Sequence, residues 1–120
     1  IMGGSGGHSD TAAGAKLAMV VAPLFRARQP IITDRVNCIS TPGRDIDVLV
    51  TQYGIAINPK NEELCDRLAS AHLPIVSIEE LKAKAESLCG VPKPLEHGER
   101  VVARVIGRDG EVQDLIYGKK

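Results

Sequence analysis

The stretch V-L-V-T-Q-Y-G-I-A-I-N-P, residues 48–59, carries the clearest signal of the architecture. An apolar run, Val48–Thr51, is separated from a second one, Ile55–Ile57, by a segment that contains Tyr53-Gly54. Valine and isoleucine favour strands, and a glycine between two apolar runs favours a turn. Asn58-Pro59 then stops the second run, because proline does not continue a sheet ladder. The stretch therefore predicts a strand, a tight bend and a second short strand.

Three segments upstream of this stretch also carry structural patterns. Leu17–Val21 is a continuous apolar run that ends before Pro23, which is the pattern of a strand buried on both faces. Ile31–Ser40 contains several β-branched residues and is followed by the turn Thr41-Pro42-Gly43, which favours another strand. Thr11–Lys16 is small and Ala-rich, and it predicts a short helical turn.

Two helices are predicted downstream. Asn61-Glu62-Glu63 begins the first, because carboxylates in a first turn are stabilised by the helix dipole, and this helix should end by Pro74. Ser77-Ile78-Glu79-Glu80 begins the second with the spacing of a capping box, and Gly90 is placed to end it.

The C-terminal part of the chain predicts a β-hairpin. Val101–Ile106 and Val112–Ile116 flank Asp109-Gly110, a pair that readily adopts the positive φ angles of a type I′ turn. Together the patterns predict one α/β domain over residues 1–120. We expect a mostly parallel buried sheet with flanking helices and this hairpin appended.

Composition excludes several classes of function. Lys plus Arg number 15 and Asp plus Glu number 15, so there is no net positive field to neutralise a phosphate backbone. The aromatic residues are one Phe and two Tyr, too few for base-stacking platforms, and nucleic acid is not an expected partner. Leu17–Phe25, the longest apolar stretch, is interrupted by Pro23 and is too short to span a membrane. No secretory signal is visible, so we expect a cytoplasmic protein.

The cysteines and histidines point away from a metal centre. Cys38, Cys65 and Cys89 are widely and unequally spaced, without a C-x-x-C pair, and predict reduced thiols rather than a disulfide frame or zinc site. His72 and His97 have no second ligand at metal spacing. We therefore predict no metal site.

The segment G-G-S-G-G-H-S-D, residues 3–10, is the main candidate for chemistry. Its glycines can adopt positive φ and bring bare N–H groups close to a ligand, as oxyanion holes do, although a flexible linker has the same composition. His8 could donate to a carboxylate or transfer a proton, or only bond its neighbours. Asp10 could orient His8 or bind loop amides, or could be the N-cap of a short helix.

Arg44 is the other candidate, in the turn that follows the predicted strand Ile31–Ser40. Its guanidinium could bind a carboxylate or a phosphate with two parallel hydrogen bonds. The alternative is a plain surface pair with Asp45 or Asp47. The residues alone leave both interpretations open.

The glycine segment resembles the glycine loop of coenzyme A transferases, because Gly4, Gly6, Gly7 and Asp10 are followed by Gly14-Ala15-Lys16. The resemblance is closer to one branch of that superfamily, the citrate lyase α subunits. It is carried by residues 3–11, 30–36, 41–51 and 54–59. It runs through the whole chain and would correspond to the C-terminal part of such a subunit, so we expect the chain, which opens at Ile1, to be a fragment.

The resemblance implies a fold of the NagB/RpiA-like type and a citrate:acetyl-acyl-carrier-protein transferase. Such a subunit replaces acetyl on a carrier-protein thiol with citrate, and the β subunit then cleaves the citryl thioester to oxaloacetate and acetyl thioester. The implied partners are the β subunit, the γ subunit that is the acyl carrier protein, and citrate, in an oligomeric complex. No cofactor is expected to be bound covalently in this chain, since the carrier's prosthetic group or a coenzyme A thioester is the substrate.

On this resemblance the site residues fall into two groups. The catalytic group is Gly6, Gly7 and His8, and the substrate- or cofactor-binding group is Gly4, Ser5, Asp10 and Arg44. Many coenzyme A transferases use a glutamate nucleophile, and no glutamate here lies in that motif, so we expect the chain to be inactive alone. Two alternatives remain open: a non-catalytic module that docks a carrier protein or partner subunit, and an isomerase that uses the glycines to bind phosphate.

Overall fold

The computed structural model describes residues 7–120, which form two compact units. The hairpin unit contains residues 7–16, Arg35–Asp45 and Lys93–Lys120. The sheet unit contains Leu17–Asp34 and Ile46–Pro92. In chain order the helices and strands are α1 (Gly7–Gly14), β1 (Met19–Val21), β2 (Phe25–Arg26), β3 (Gln29–Pro30), β4 (Val48–Thr51), β5 (Gly54–Ile57), α2 (Glu62–Leu68), α3 (Ile78–Cys89), β6 (His97–Ile106) and β7 (Val112–Lys119).

The sheet unit is built on the stretch 48–59. β4 and β5 pair antiparallel with Thr51 opposite Gly54, so the predicted strand, tight bend and second strand are confirmed. β1 joins the other edge of β4 in parallel, which gives the strand order β1-β4-β5. A two-residue connection can join only antiparallel strands. The expectation of a mostly parallel sheet is therefore wrong, since β1–β4 is the one parallel strand pair among the strands of residues 7–120.

Two predicted strands differ from the structure. The predicted strand Leu17–Val21 shortens to β1, and it is not buried on both faces, because Met19 is 59% and Val21 78% exposed at the edge of the sheet. The predicted strand Ile31–Ser40 is wrong, since this segment contains no strand. One reason is that the Ile39 N–H donates to a carboxylate oxygen of Asp114 instead of to a strand ladder, at 2.7 Å.

The core of the sheet unit lies between the sheet and α3. Leu81 and Ala85, one turn apart on α3, are buried with Leu24 and Ala56. The predicted capping box is confirmed: the Glu80 N–H donates to the Ser77 hydroxyl while Glu80 accepts from the Ser77 N–H, and Gly90 ends the helix at φ 80°. The other predicted helix is confirmed as α2, whose N-cap Asn61 accepts from the Leu64 N–H at 3.1 Å. The burial of Leu81 and Ala85 packs α3 against the sheet, and the capping bonds define where α2 and α3 begin.

Asp47 joins three parts of the sheet unit. Its Oδ2 accepts from the Ala18 N–H at 2.8 Å, and its Oδ1 accepts from the Asn61 side-chain amide at 2.9 Å. The Ala18 hydrogen bond first, and the Asn61 bond second, hold the pKa of Asp47 below its ordinary value. The carboxylate thereby connects the approach to β1 with the start of α2.

The hairpin unit is dominated by β6 and β7, which pair antiparallel with several register shifts. The predicted hairpin is confirmed, but the predicted type I′ turn is wrong. Gly110 has a positive φ of 81°, and Asp109 is not among the positive-φ residues. The Gly110 N–H donates to the Gly107 carbonyl and the Gly107 N–H to the Glu111 carbonyl, so residues 108–110 form a three-residue loop.

Candidate functional site

Helix α1 places the first candidate residues. It begins at Gly7, so His8 and Asp10 lie in its first turn rather than in a loop. The N-cap interpretation of Asp10 is therefore wrong, and so is a helix that begins only at Thr11. The Thr11 hydroxyl donates to the Gly7 carbonyl at 2.7 Å and reinforces this turn. The candidates Gly3, Gly4, Ser5 and Gly6 lie outside the described residues.

His8 contacts the turn that contains Thr41, Pro42 and Gly43: its Nδ1 lies 3.0 Å from the hydroxyl oxygen of Thr41. Thr41 immediately precedes the buried Pro42, and the Asp45 N–H donates back to the Pro42 carbonyl at 3.0 Å. The His8 ring is exposed. Since Nδ1 faces Thr41, Nε2 is the nitrogen that suits proton transfer or a ligand contact.

Arg44 lies on a short 3₁₀ turn, Gly43–Asp45, that precedes β4. The expectation that this turn follows a strand is wrong, because Ile31–Ser40 forms none. The Arg44 guanidinium lies 3.8 Å from an Asp45 carboxylate oxygen and 3.5 Å from one of Glu111, and its side chain is 57% exposed. Both separations are long for charge-assisted hydrogen bonds, so the guanidinium can exchange these partners for another anion.

A cavity of about 280 Å³ opens within the hairpin unit. One wall comes from α1, a second from the segment before Thr41, and a third from the hairpin around the 108–110 loop. Asp10 on α1 faces Arg108 on that loop, with their nearest charged atoms 3.9 Å apart. The lining residues are Ser9, Asp10, Cys38, Ser40, Arg104, Val105, Ile106, Gly107, Arg108, Gln113 and Ile116.

Asp114 on β7 positions the middle wall of this cavity. Its Oδ2 accepts from the Ile39 N–H at 2.7 Å, and its Oδ1 accepts from its own neighbour Leu115 at 2.8 Å. The Ile39 bond first, then the Leu115 bond and the charge of Arg35, lower the pKa of Asp114. The carboxylate thereby holds the segment between Cys38 and Ser40 against the hairpin.

Sequence reasoning missed the residues of this cavity other than Asp10. Asp114, which does not line the cavity but holds one of its walls, carried a usable signal, since it is a lone carboxylate inside a predicted apolar strand. Arg104 and Arg108 carried none, because charged residues on a hairpin are usually solvated. Their approach to α1 depends on contacts between segments far apart in the chain.

The thiols and possible metal ligands can also be placed. Cys38, Cys65 and Cys89 are free and half-buried, and Cys38 lines the cavity. Within residues 7–120, no three His, Cys, Asp or Glu side chains cluster closely enough to hold a metal ion. None of the helices in the same range is both long and apolar enough to cross a membrane.

Comparison with known proteins points to one family. The family model for the citrate lyase α subunit (CitF) matches residues 1–119. The citrate lyase α chain of Klebsiella pneumoniae is 53% identical over 116 residues, which cover 97% of this chain and 23% of that protein. The citrate lyase α chain of Escherichia coli K12 is 48% identical over 120 residues, which cover all of this chain and 24% of that protein.

A solved structure shares the fold. The crystal structure described as that of a citrate lyase α subunit in complex with citrate, from Streptococcus mutans, superposes with a TM-score of 0.94 at 43% identity. The match covers 100% of this chain and 24% of that one. The chain thus spans about a quarter of the length of the relatives it matches.

Proposed function

The chain belongs to the citrate lyase α-subunit family, and on that premise we propose that it takes part in exchanging acetyl for citrate on an acyl-carrier-protein thioester. In this exchange citrate becomes thioester-linked to the carrier thiol and acetate leaves. The β subunit would then cleave the citryl thioester to oxaloacetate and acetyl thioester. The γ subunit would be the carrier, or a coenzyme A thioester would replace it. We place this oligomeric complex in the cytoplasm, and the chain in the C-terminal part of an α subunit with a NagB/RpiA-like fold.

The main support for this proposal is the family model, which matches residues 1–119 of this chain. The ligand described for a solved relative with the same fold adds to it. The Streptococcus mutans protein of TM-score 0.94 is described in complex with citrate. Citrate is therefore the acid whose carboxylate we propose to become linked to the carrier thiol as acetate leaves.

The proposed roles follow from the start of α1. When a thioester carbonyl is attacked, its oxygen becomes negative, and backbone N–H groups can stabilise that charge. We assign this role to the amides of Gly6 and Gly7. The latter is the first residue of α1 in the described part of the chain, and the first N–H groups of a helix are suited to bind a negative charge. His8 is assigned proton transfer or a carboxylate contact through Nε2. Gly4, Ser5, Asp10 and Arg44 are assigned substrate binding.

The test is an exchange assay with a full-length α subunit that carries this sequence. The subunit is mixed with acetylated acyl carrier protein and citrate, without the β subunit, and the carrier is followed by intact-protein mass spectrometry. We expect citryl carrier to form as free acetate appears, and a carrier that stays acetylated would contradict the proposal. So would release of free carrier thiol without citryl carrier, because that product indicates hydrolysis.

A non-catalytic docking role is the second candidate. It is favoured by apolar side chains exposed on the hairpin, among them Val102 at 55% and Ile106 at 54%. This role predicts that Val102→Ser weakens assembly with the partner subunits, measured by size-exclusion chromatography. It also predicts that His8→Ala leaves exchange unaltered, whereas the transferase proposal predicts a loss.

A further inference from the structure

We propose that the cavity of the hairpin unit is a binding site for a small polycarboxylate, and that Arg104 and Arg108 bind its carboxylate groups. The inference deepens the proposed function and rests on it for the choice of citrate as the ligand. Neither arginine belongs to the glycine segment or to the turn that carries Arg44. The charge, the hydrogen-bonding groups and the size of the cavity all favour such a ligand.

The charge of the cavity favours an anion. Its lining contains two guanidinium groups, those of Arg104 and Arg108, and one carboxylate, that of Asp10. Asp10 and Arg108 approach only to 3.9 Å, and their side chains are 43% and 77% exposed. Arg104 takes part in none of the ion pairs formed within residues 7–120. One arginine is therefore loosely paired and the other has no carboxylate partner in the described part of the chain.

The uncharged polar groups of the lining also suit carboxylates. Ser9, Ser40 and Gln113 can all donate hydrogen bonds, and carboxylate oxygens only accept them. Gln113 is packed closely against the hairpin loop, because a Cβ atom on Gly107 would lie 2.7 Å from its amide nitrogen. The one acceptor-only group, Asp10, would then suit a hydroxyl such as that of citrate.

The size of the cavity restricts the ligand. Pockets for drug-sized molecules occupy about 300–1,000 Å³. A volume of about 280 Å³ lies just below that range, so it suits a small acid and is too small to enclose a whole coenzyme A molecule. An inorganic phosphate ion would also fit, so the test below includes a competition between citrate and phosphate.

The test measures citrate binding by isothermal titration calorimetry to a full-length α subunit that carries this sequence. Arg104→Ala and Arg108→Ala should each raise the Kd for citrate by about tenfold or more, the loss expected for a charge-assisted hydrogen bond. Arg100→Ala is the matched control, since Arg100 lies on the same strand, is exposed and does not line the cavity. It should leave the Kd unchanged.

An unchanged Kd in both cavity variants would overturn the inference, as would an equal loss in the Arg100 control. Displacement of citrate by equimolar inorganic phosphate would identify a phosphate site and overturn it too. Thermal melting checks that each variant is folded. If an alanine variant unfolds, the lysine variant at the same position, Arg104→Lys or Arg108→Lys, replaces it. The lysine variant should raise the Kd for citrate several-fold. Citrate that binds in this way to a subunit without exchange activity would contradict the proposed function while supporting the site.

Discussion

The Nδ1 atom of His8 lies 3.0 Å from the hydroxyl oxygen of Thr41, and this contact connects the first turn of α1 to a segment more than thirty residues away along the chain. The contact orients the exposed imidazole ring through Nδ1 and leaves Nε2 as the nitrogen that can transfer a proton or bind a ligand. His8 is thereby held in the first turn of α1, one residue after Gly7, whose N–H group we propose as an oxyanion donor. On that proposal, proton transfer and charge stabilisation occur at neighbouring positions.

His8→Gln should lower kcat of the exchange reaction by about 10²-fold or more, the usual contribution of a general acid or base. Thr41→Val should have a smaller effect on kcat, because it removes only the group that orients the ring. Both are measured with acetylated carrier and citrate at saturation. His72→Gln is the control, since His72 is exposed in the sheet unit. Equal rates for wild type and His8→Gln would remove His8 from the catalytic group.

Arg44→Lys should raise KM for citrate or for the acyl carrier while leaving kcat little changed. Lysine keeps the charge but cannot form the planar two-donor contact of a guanidinium. The long separations of Arg44 from Asp45 and Glu111 leave it able to bind a ligand. If both Michaelis constants are unaltered and stability changes by less than ~1 kcal/mol, Arg44 forms only a surface pair.

Gly54→Ala should destabilise the sheet unit. Gly54 has a φ of 152°, and a Cβ atom there would lie 2.6 Å from a methyl carbon of Val76 and 3.2 Å from the Pro74 carbonyl oxygen. Overpacking of this kind costs about 1–3 kcal/mol. The measurement is the free energy of unfolding from urea titration. Gly14→Ala is the control, because a Cβ atom there meets nothing within 4 Å. Equal stability of the two variants would refute the packing argument.

Asp47 should make stability depend on pH in the acid range. Its pKa is held below the ordinary 3.8, chiefly by the Ala18 N–H and then by Asn61, so the folded state binds the proton less readily than the unfolded state. The stabilisation is complete above the unfolded pKa and is lost as pH falls through the folded one. Asp47→Asn should therefore flatten the decline of the unfolding free energy below pH 3.8. An unchanged slope would contradict this role.

Local signals predicted part of the fold correctly. The capping box at Ser77, the helix start at Asn61-Glu62-Glu63 and the bend before Gly54 depend on residues close together in sequence, and all three are in the structure. The predicted strand at Ile31–Ser40 failed because the Ile39 N–H bonds Asp114, 75 residues away. No local pattern contains that contact.

Composition singled out the glycines and His8 as site candidates, and those assignments stay predictions. It missed that Asp10 faces Arg108 across a cavity, since this depends on how α1 packs against the hairpin. The two-residue turn at Ala27-Arg28 was also missed, because both residues have positive φ without being glycine.

Gly7→Val tests most directly the proposal that the start of α1 stabilises the oxyanion. A Cβ atom at Gly7 meets nothing within 4 Å among the described residues, so the variant should fold. The initial rate of citryl-carrier formation is measured by mass spectrometry for wild type, Gly7→Val and the control Gly14→Val. We predict a loss of about 10²–10³-fold for Gly7→Val alone, as when one oxyanion donor is disabled. A folded Gly7→Val variant with a near wild-type rate would contradict the role of the start of α1 in stabilising the oxyanion.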